Sequence, residues 1–193
     1  MNNMRAFIAI ELPEEIKDAL GNIQEQLKKS GADVKWVSPG NIHLTLKFLG
    51  EITDEQLNKI NKIIEDVAAN KNSFQLGISS LGAFPKINSP RVIWIGVDKG
   101  DKETKEIAKD LEEKIARLGI PKEERPFSSH ITIGRTRSTL NRDKLVQDLE
   151  AMAGKFGGKN LEFSVKNITL FKSTLTPRGP IYEALKEASL KTT

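Results

Sequence analysis

The chain contains two histidines, and each opens the same pattern: His43-Leu44-Thr45-Leu46 and His130-Ile131-Thr132-Ile133. With threonine at 11 of 193 positions, a threonine two places after both would arise by chance about once in 300 cases. On a strand, residues i and i+2 share a face roughly 6.6–6.8 Å apart. His43 and Thr45 therefore line one face, and His130 and Thr132 another, above apolar residues that pack beneath. Two imidazoles and two hydroxyls converging on one cleft suit in-line displacement at phosphorus. One imidazole takes a proton from the nucleophile, the other gives one to the leaving group, and the hydroxyls donate to the non-bridging oxygens. An unperturbed pKa of about 6.5 leaves both protonation states of histidine accessible near neutrality. Neither motif holds a good covalent nucleophile, so water or a ribose hydroxyl is the expected attacker. Two histidines with no Asp, Glu or Cys beside them are a poor zinc set. No metal and no cofactor are expected.

Binding groups follow from position. Lys47 lies two beyond Thr45, so simple alternation puts it on the cleft face, within reach of a phosphate. Its counterpart is Gly134, followed by Arg135, which reaches the cleft only if the strand bulges at the glycine. Arg125, Arg137 and Arg142 surround the second motif and suit an RNA backbone. Trp36, Phe127 and Tyr182 are the aromatic groups that could stack on bases; for Trp36 and Phe127 a place in the core is the better reading. The expected binding set is Lys47, Arg135, Arg137, Phe127 and Tyr182.

The elements that must position these residues recur. Arg5–Ile10 resembles Arg91–Gly96 at an offset of 86. The histidine segments recur at 87, as do Phe74, Leu76, Ile78, Leu81 and Phe84 against Leu161, Phe163, Val165, Ile168 and Phe171. Helical stripes follow the first strand of each half: Ile16, Leu20, Ile23, Leu27, and Ile107, Leu111, Ile115, Leu118. Thr53-Asp54-Glu55-Gln56 has the form of a capping box, and Asn141–Lys144 opens the counterpart helix. Each half reads strand–helix–strand–helix–strand. The expected fold is α+β: a single bilobal domain over 1–193 with repeats at about 5–84 and 91–171. Two antiparallel sheets, each covered by two helices on its outer face, should flank a central cleft on a pseudo-two-fold axis.

Composition narrows the class. With 193 residues, 38% hydrophobic and 29% charged, the chain is long enough for a sizeable core and is neither disordered nor fibrous. It has no cysteine, which excludes disulfides and a thiol nucleophile. No apolar run is long enough for a membrane span, and a cytoplasmic monomer is expected. The net charge of +4 is unevenly placed: residues 1–90 carry 10 basic and 11 acidic side chains, residues 91–193 carry 20 and 15. A one-sided basic field suits a polyanion such as RNA.

The two motifs together resemble the 2H phosphoesterase superfamily, and within it the RNA 2′,3′-cyclic phosphodiesterases, also called 2′-5′ RNA ligases. Arg5–Ile10 is similar to the opening strand of that family. His43–Gly50 and His130–Arg135 are similar to its motifs, and the tail from Ser173 through Leu175, Pro177, Gly179-Pro180 and Tyr182 is similar to its end. Ser129 stands where the family often has Pro or Ala. The resemblance implies metal-independent hydrolysis of RNA 2′,3′-cyclic phosphate ends to 2′-phosphates, tRNA fragments being among the implied substrates. It makes His43 the proton donor to the departing 3′ oxygen and His130 the acceptor that activates water. It also implies reversible 2′-5′ joining, with a 5′-hydroxyl in place of water. A nucleotide such as ATP or GTP would suit the same cleft. The motifs alone fit two other readings: hydrolysis of a small cyclic nucleotide or ADP-ribose cyclic phosphate, and a non-catalytic RNA-end-binding module.

Overall fold

A computed structural model describes residues 3–156 and 161–192; residues 157–160, inside the second expected repeat, lie outside the described residues. The elements in chain order are β1 (Met4–Glu11), α1 (Glu14–Lys28), β2 (Val34–Trp36), β3 (His43–Ile52), α2 (Asp54–Ala69), β4 (Phe74–Lys86), β5 (Ser89–Val97), α3 (Asp101–Ala116), β6 (His130–Thr136), α4 (Arg142–Phe156), β7 (Leu161–Val165), β8 (Asn167–Thr176) and β9 (Gly179–Ser189). The helices form where the apolar stripes require them. Ile16, Leu20, Ile23 and Leu27 of α1 and Ile107, Leu111 and Ile115 of α3 are buried, each contributing about 1.5–3 kcal/mol of hydrophobic stabilisation. Leu118 falls just past the end of α3 and packs against the core. Thr53 caps α2 reciprocally with Gln56: the Gln56 backbone N–H donates to Thr53 Oγ1 at 3.2 Å and the Thr53 N–H to Gln56 Oε1 at 3.0 Å. Asn141, in the left-handed region at φ 50°, precedes α4 and donates from Nδ2 to the Gly31 carbonyl at 3.0 Å.

The fold is α+β with two antiparallel sheets and four helices. One sheet has the order β3-β1-β8-β9, the other β2-β6-β5-β4-β7. The helices α2 and α3 pack on the first sheet, α1 and α4 on the second. Each sheet, and each helix pair, thus draws on both halves of the sequence. The pairing of β4 with β7 runs Phe74↔Val165, Leu76↔Phe163 and Ile78↔Leu161. Shifting the first members up by 87 and the second members down by 87 reproduces the same pairs, as a two-fold axis through Leu76 and Phe163 requires.

One sequence alignment shifts by a residue. His43 lies opposite Glu11, and His130 opposite Gly96, so β1 and β5 correspond at an offset of 85, not 86. Parity explains the change. Ile8 and Ile10 face the main core as Ile93 and Ile95 do, whereas an offset of 86 would match the core residue Ile10 with Gly96 on the opposite face.

Candidate active site

His43 begins β3 immediately after a 3₁₀ turn at Pro39–Asn41. That turn presents the Asn41 carbonyl, which accepts the His43 Nδ1–H at 2.7 Å. A carbonyl only accepts, so this bond fixes the proton on Nδ1 and leaves Nε2 to the other side of the ring. There Thr45 Oγ1 lies 2.9 Å away and donates to Nε2 when the ring is neutral. Phe7 of β1 stacks on the imidazole with ring centres 4.7 Å apart, and Tyr182 of β9 meets it edge-on at 5.4 Å. Phe7, Ala9 and Phe171, with Tyr182 against them, form a small apolar cluster apart from the main core. Asn41 Nδ2 donates to the Pro180 carbonyl at 2.8 Å, which ties the β8–β9 turn, and Tyr182 just beyond it, to the His43 loop. Burial holds the His43 imidazole below its ordinary pKa. The Asn41 carbonyl opposes that shift and nearby Lys17 adds to it. Lys17 is itself buried and paired with Glu14 at 2.9 Å and Glu11 at 3.4 Å. A pocket opens beside the imidazole, lined by Phe7, Glu11, Lys17, Asn41, His43 and Tyr182.

His130 begins β6 in the same way. Its Nδ1–H donates to the Ser128 carbonyl, again two residues back and again at 2.7 Å. Its other surroundings differ. Phe84 of β4 meets the ring perpendicularly at 5.2 Å, and Trp94 lies 5.1 Å beyond Phe84. Thr132 lies opposite Trp94 in the sheet. Among the described residues His130 Nε2 has no hydrogen-bond partner. Ser129, between Ser128 and His130, is buried.

Both motif strands bulge one residue past the threonine, and the bulges decide which cations face the cleft. In β3, Thr45 pairs with Ala9 but Lys47 with Ile8, leaving Leu46 unpaired. The extra residue reverses the alternation, so Lys47 does not share the face of His43 and Thr45. It is instead 2% exposed, with Nζ 2.8 Å from Glu112 Oε2, 4.0 Å from Glu123 Oε1, and donating to the Pro121 carbonyl at 2.9 Å. The expectation that Lys47 reaches the phosphate is therefore corrected: it ties β3 to α3 and to the segment leading toward β6. In β6 the equivalent bulge leaves Ile133 unpaired. Gly134 then pairs with Ile93, and Arg135 with Val92. Arg135 thus gains the cleft face, on the condition the sequence set. A Cβ at Gly134 would lie 2.9 Å from the Trp36 ring and from Val34, so this position admits no side chain.

The remaining expectations divide. Tyr182 sits at His43, and burial pushes its phenol pKa up against the pull of Arg5 and Arg135. That pull links a residue beside the first motif with one on the second motif strand. Arg137 is exposed at the end of β6, its backbone N–H donating to the Asp33 carbonyl at 2.8 Å. Phe127 corrects the expected binding set: it is half-buried against the main core, as is Trp36, where its apolar ring is withdrawn from water. Sequence reasoning did not single out Asn41, Phe7 or Phe84. The period-two pattern of β1 and the alignment of Phe84 with Phe171 carried the signal for the two phenylalanines. The signal for Asn41 is its place two before the histidine. Among the described residues no three of His, Cys, Asp or Glu cluster closely enough to hold a metal.

Comparison with known proteins also divides the chain into two similar halves. The family model "LigT like Phosphoesterase" matches the chain twice, over residues 10–94 and again over 95–182. The chain belongs to the LigT-like phosphoesterases. Within this 2H phosphoesterase group it is 41% identical, over 95% of its length and 99% of the relative's, to a Methanocaldococcus jannaschii protein named RNA 2′,3′-cyclic phosphodiesterase. A Methanothermobacter thermautotrophicus protein of the same name is 34% identical over 93% of the chain and 95% of the relative. Among solved structures, Escherichia coli LigT complexed with 3′-AMP superimposes with a TM-score of 0.79 at 28% identity, covering 98% of this chain and 99% of that one. The LigT-like fold is thus shared along the whole chain.

Proposed function

We propose that this LigT-like phosphoesterase is a cyclic phosphodiesterase that hydrolyses RNA 2′,3′-cyclic phosphate ends to 2′-phosphates, with His43 and His130 as its acid–base pair. The observation that carries this reading is the matched geometry of the two histidines. Each begins a bulged strand, and each commits Nδ1–H to a carbonyl two residues back at 2.7 Å, which leaves both Nε2 atoms for proton transfer. The names of the relatives supply the substrate class.

In this mechanism a water oxygen attacks phosphorus and gives its proton to His130 Nε2. The bond from phosphorus to the 3′ oxygen breaks, and that oxygen takes a proton from His43 Nε2, leaving the phosphate on the 2′ oxygen. Thr45 and Thr132 donate to the non-bridging oxygens as charge builds there. His43 rests neutral, and a bound phosphate anion beside it favours the imidazolium it needs as donor. With a 5′-hydroxyl replacing water, the same steps form a 2′-5′ bond, and their reverse cleaves it. No step requires a metal, and one bilobal unit of 1–193 supplies all four groups. Tyr182 and Arg135 border the substrate, and the cleft accommodates nucleotides of the kind represented by the 3′-AMP complex of LigT.

The test is an oligoribonucleotide ending in a 2′,3′-cyclic phosphate, incubated with protein and excess EDTA, with products separated by their terminal chemistry. The expected product is a 2′-phosphate that disappears with His43→Ala and with His130→Ala. A 3′-phosphate product, or full activity in either variant, would overturn the assignment.

A further inference from the structure

The edge strand β2 pairs with β6 so that Lys35 lies directly opposite Arg135. Opposed residues on neighbouring strands share a face with Cβ atoms about 4.5–5.5 Å apart. The bulge at Ile133 has already turned Arg135 to the cleft face, so Lys35 is there too. Both side chains are exposed, and among the described residues neither is paired with a carboxylate. Like charges in this arrangement destabilise a sheet. The first half of the cleft offers no match, because the position equivalent to Arg135 is Phe48, which is exposed.

We infer that Lys35 and Arg135 together form a subsite for a backbone phosphate of an RNA strand entering the cleft along the second motif. This rests on the RNA-end reading above and makes the substrate an oligoribonucleotide rather than a mononucleotide. A phosphate between the two cations replaces their repulsion with two charge-assisted hydrogen bonds, the guanidinium binding in a fork and the ammonium as a point charge. From His130 to Arg135 the bulged strand advances roughly 13 Å, and Lys35 lies on the edge strand beyond it, so the single phosphate of a mononucleotide held at the histidines leaves Lys35 unused. The strand also acquires a direction: it leaves the site over the His130 sheet, where the cations are, and not over Phe48.

The test compares turnover of adenosine 2′,3′-cyclic monophosphate with that of a hexaribonucleotide ending in a 2′,3′-cyclic phosphate, using wild type, Lys35→Gln and Lys35→Glu. On the hexamer, Lys35→Gln is expected to lower kcat/KM about tenfold and to reduce the slope of log(kcat/KM) against log salt by about 0.7–1. Lys35→Glu should lower it further while its Tm equals or exceeds that of wild type, because the like-charged pair becomes an opposite-charged one. Turnover of the mononucleotide should not change. Equal losses on both substrates, or no loss on the hexamer, would overturn the subsite. If wild type cleaves neither substrate, the RNA-end reading fails, and the subsite is decided by binding of a fluorescent hexaribonucleotide. Weaker binding by Lys35→Glu supports it, and unchanged binding refutes it.

Discussion

His43 and His130 start from the same four-residue pattern and the same carbonyl bond, yet their rings meet different neighbours. His43 lies between the face of Phe7 and the edge of Tyr182, and Thr45 occupies its Nε2. His130 touches the edge of Phe84, and its Nε2 is unbonded among the described residues. The shared carbonyl bond two residues back therefore sets orientation and tautomer, while the rings packed around each imidazole differ. Burial, with Lys17 adding to it and the Asn41 carbonyl opposing it, holds the His43 pKa below its ordinary value. Two groups that a duplicated sequence leaves equivalent thus stand in unequal surroundings.

The largest effect should come from removing either ring. His43→Ala and His130→Ala are each expected to lower kcat by about 10²–10⁴ with little change in affinity, measured by single-turnover assay and equilibrium binding. Similar losses from both would mean that the inequality concerns timing of the proton and not importance. Replacing the hydroxyls should cost less, roughly 10–10². Thr45→Val should also shift the limb of the pH–rate profile that reports His43, because among the described residues Thr45 bonds its histidine and Thr132 does not, whereas Thr132→Val should lower the rate without that shift. Lys47→Met should reduce stability by about 1–3 kcal/mol in urea unfolding, since the Pro121 carbonyl and Glu112 lose a buried partner. Activity should survive at temperatures where the variant is folded, which separates this lysine from the phosphate-binding role that simple alternation assigned to it.

The smallest effect is the most specific to the comparison. Tyr182→Ala opens His43 to water, so its NMR titration midpoint should rise toward about 6.5, while Tyr182→Phe keeps the ring and the depressed value. The same shift has a stability sign. A histidine whose folded pKa lies below its unfolded value favours the neutral form on folding. The wild type should therefore lose stability as pH falls from 6.5 toward the folded pKa, and Tyr182→Ala should show less of that loss in denaturation curves.

Much of this was legible in the sequence because it depends on local periodicity. The placement of His43 with Thr45, the stripes of α1 and α3, and the Thr53 cap are all set within a few residues. Lys47 was misplaced for the opposite reason: a bulge at Leu46 is a property of pairing with β1, and a one-residue slip reverses every side chain after it. The same kind of bulge at Ile133 could be suspected only because Gly134 marked it. Phe127 adjoins the second motif in sequence but faces the core, since proximity along an irregular segment carries no parity. Nor could the stripes show that α1 covers the sheet of β6 rather than that of β1, because an amphipathic face records that it is buried and not against what.

The crossing of strands between the sheets has a consequence for the history and handling of this chain. A polypeptide cut in the turn between β4 and β5 would yield one fragment with β1 and β3 lacking their β8 and β9 neighbours, and another with β5 and β6 lacking β4. Neither could close its sheet alone, but each carries the strands the other lacks, so the two should refold only when mixed. A polypeptide of single-repeat length could satisfy the same edges only by trading segments with a second copy of itself. The present chain has the topology of such a swapped pair joined by one covalent turn.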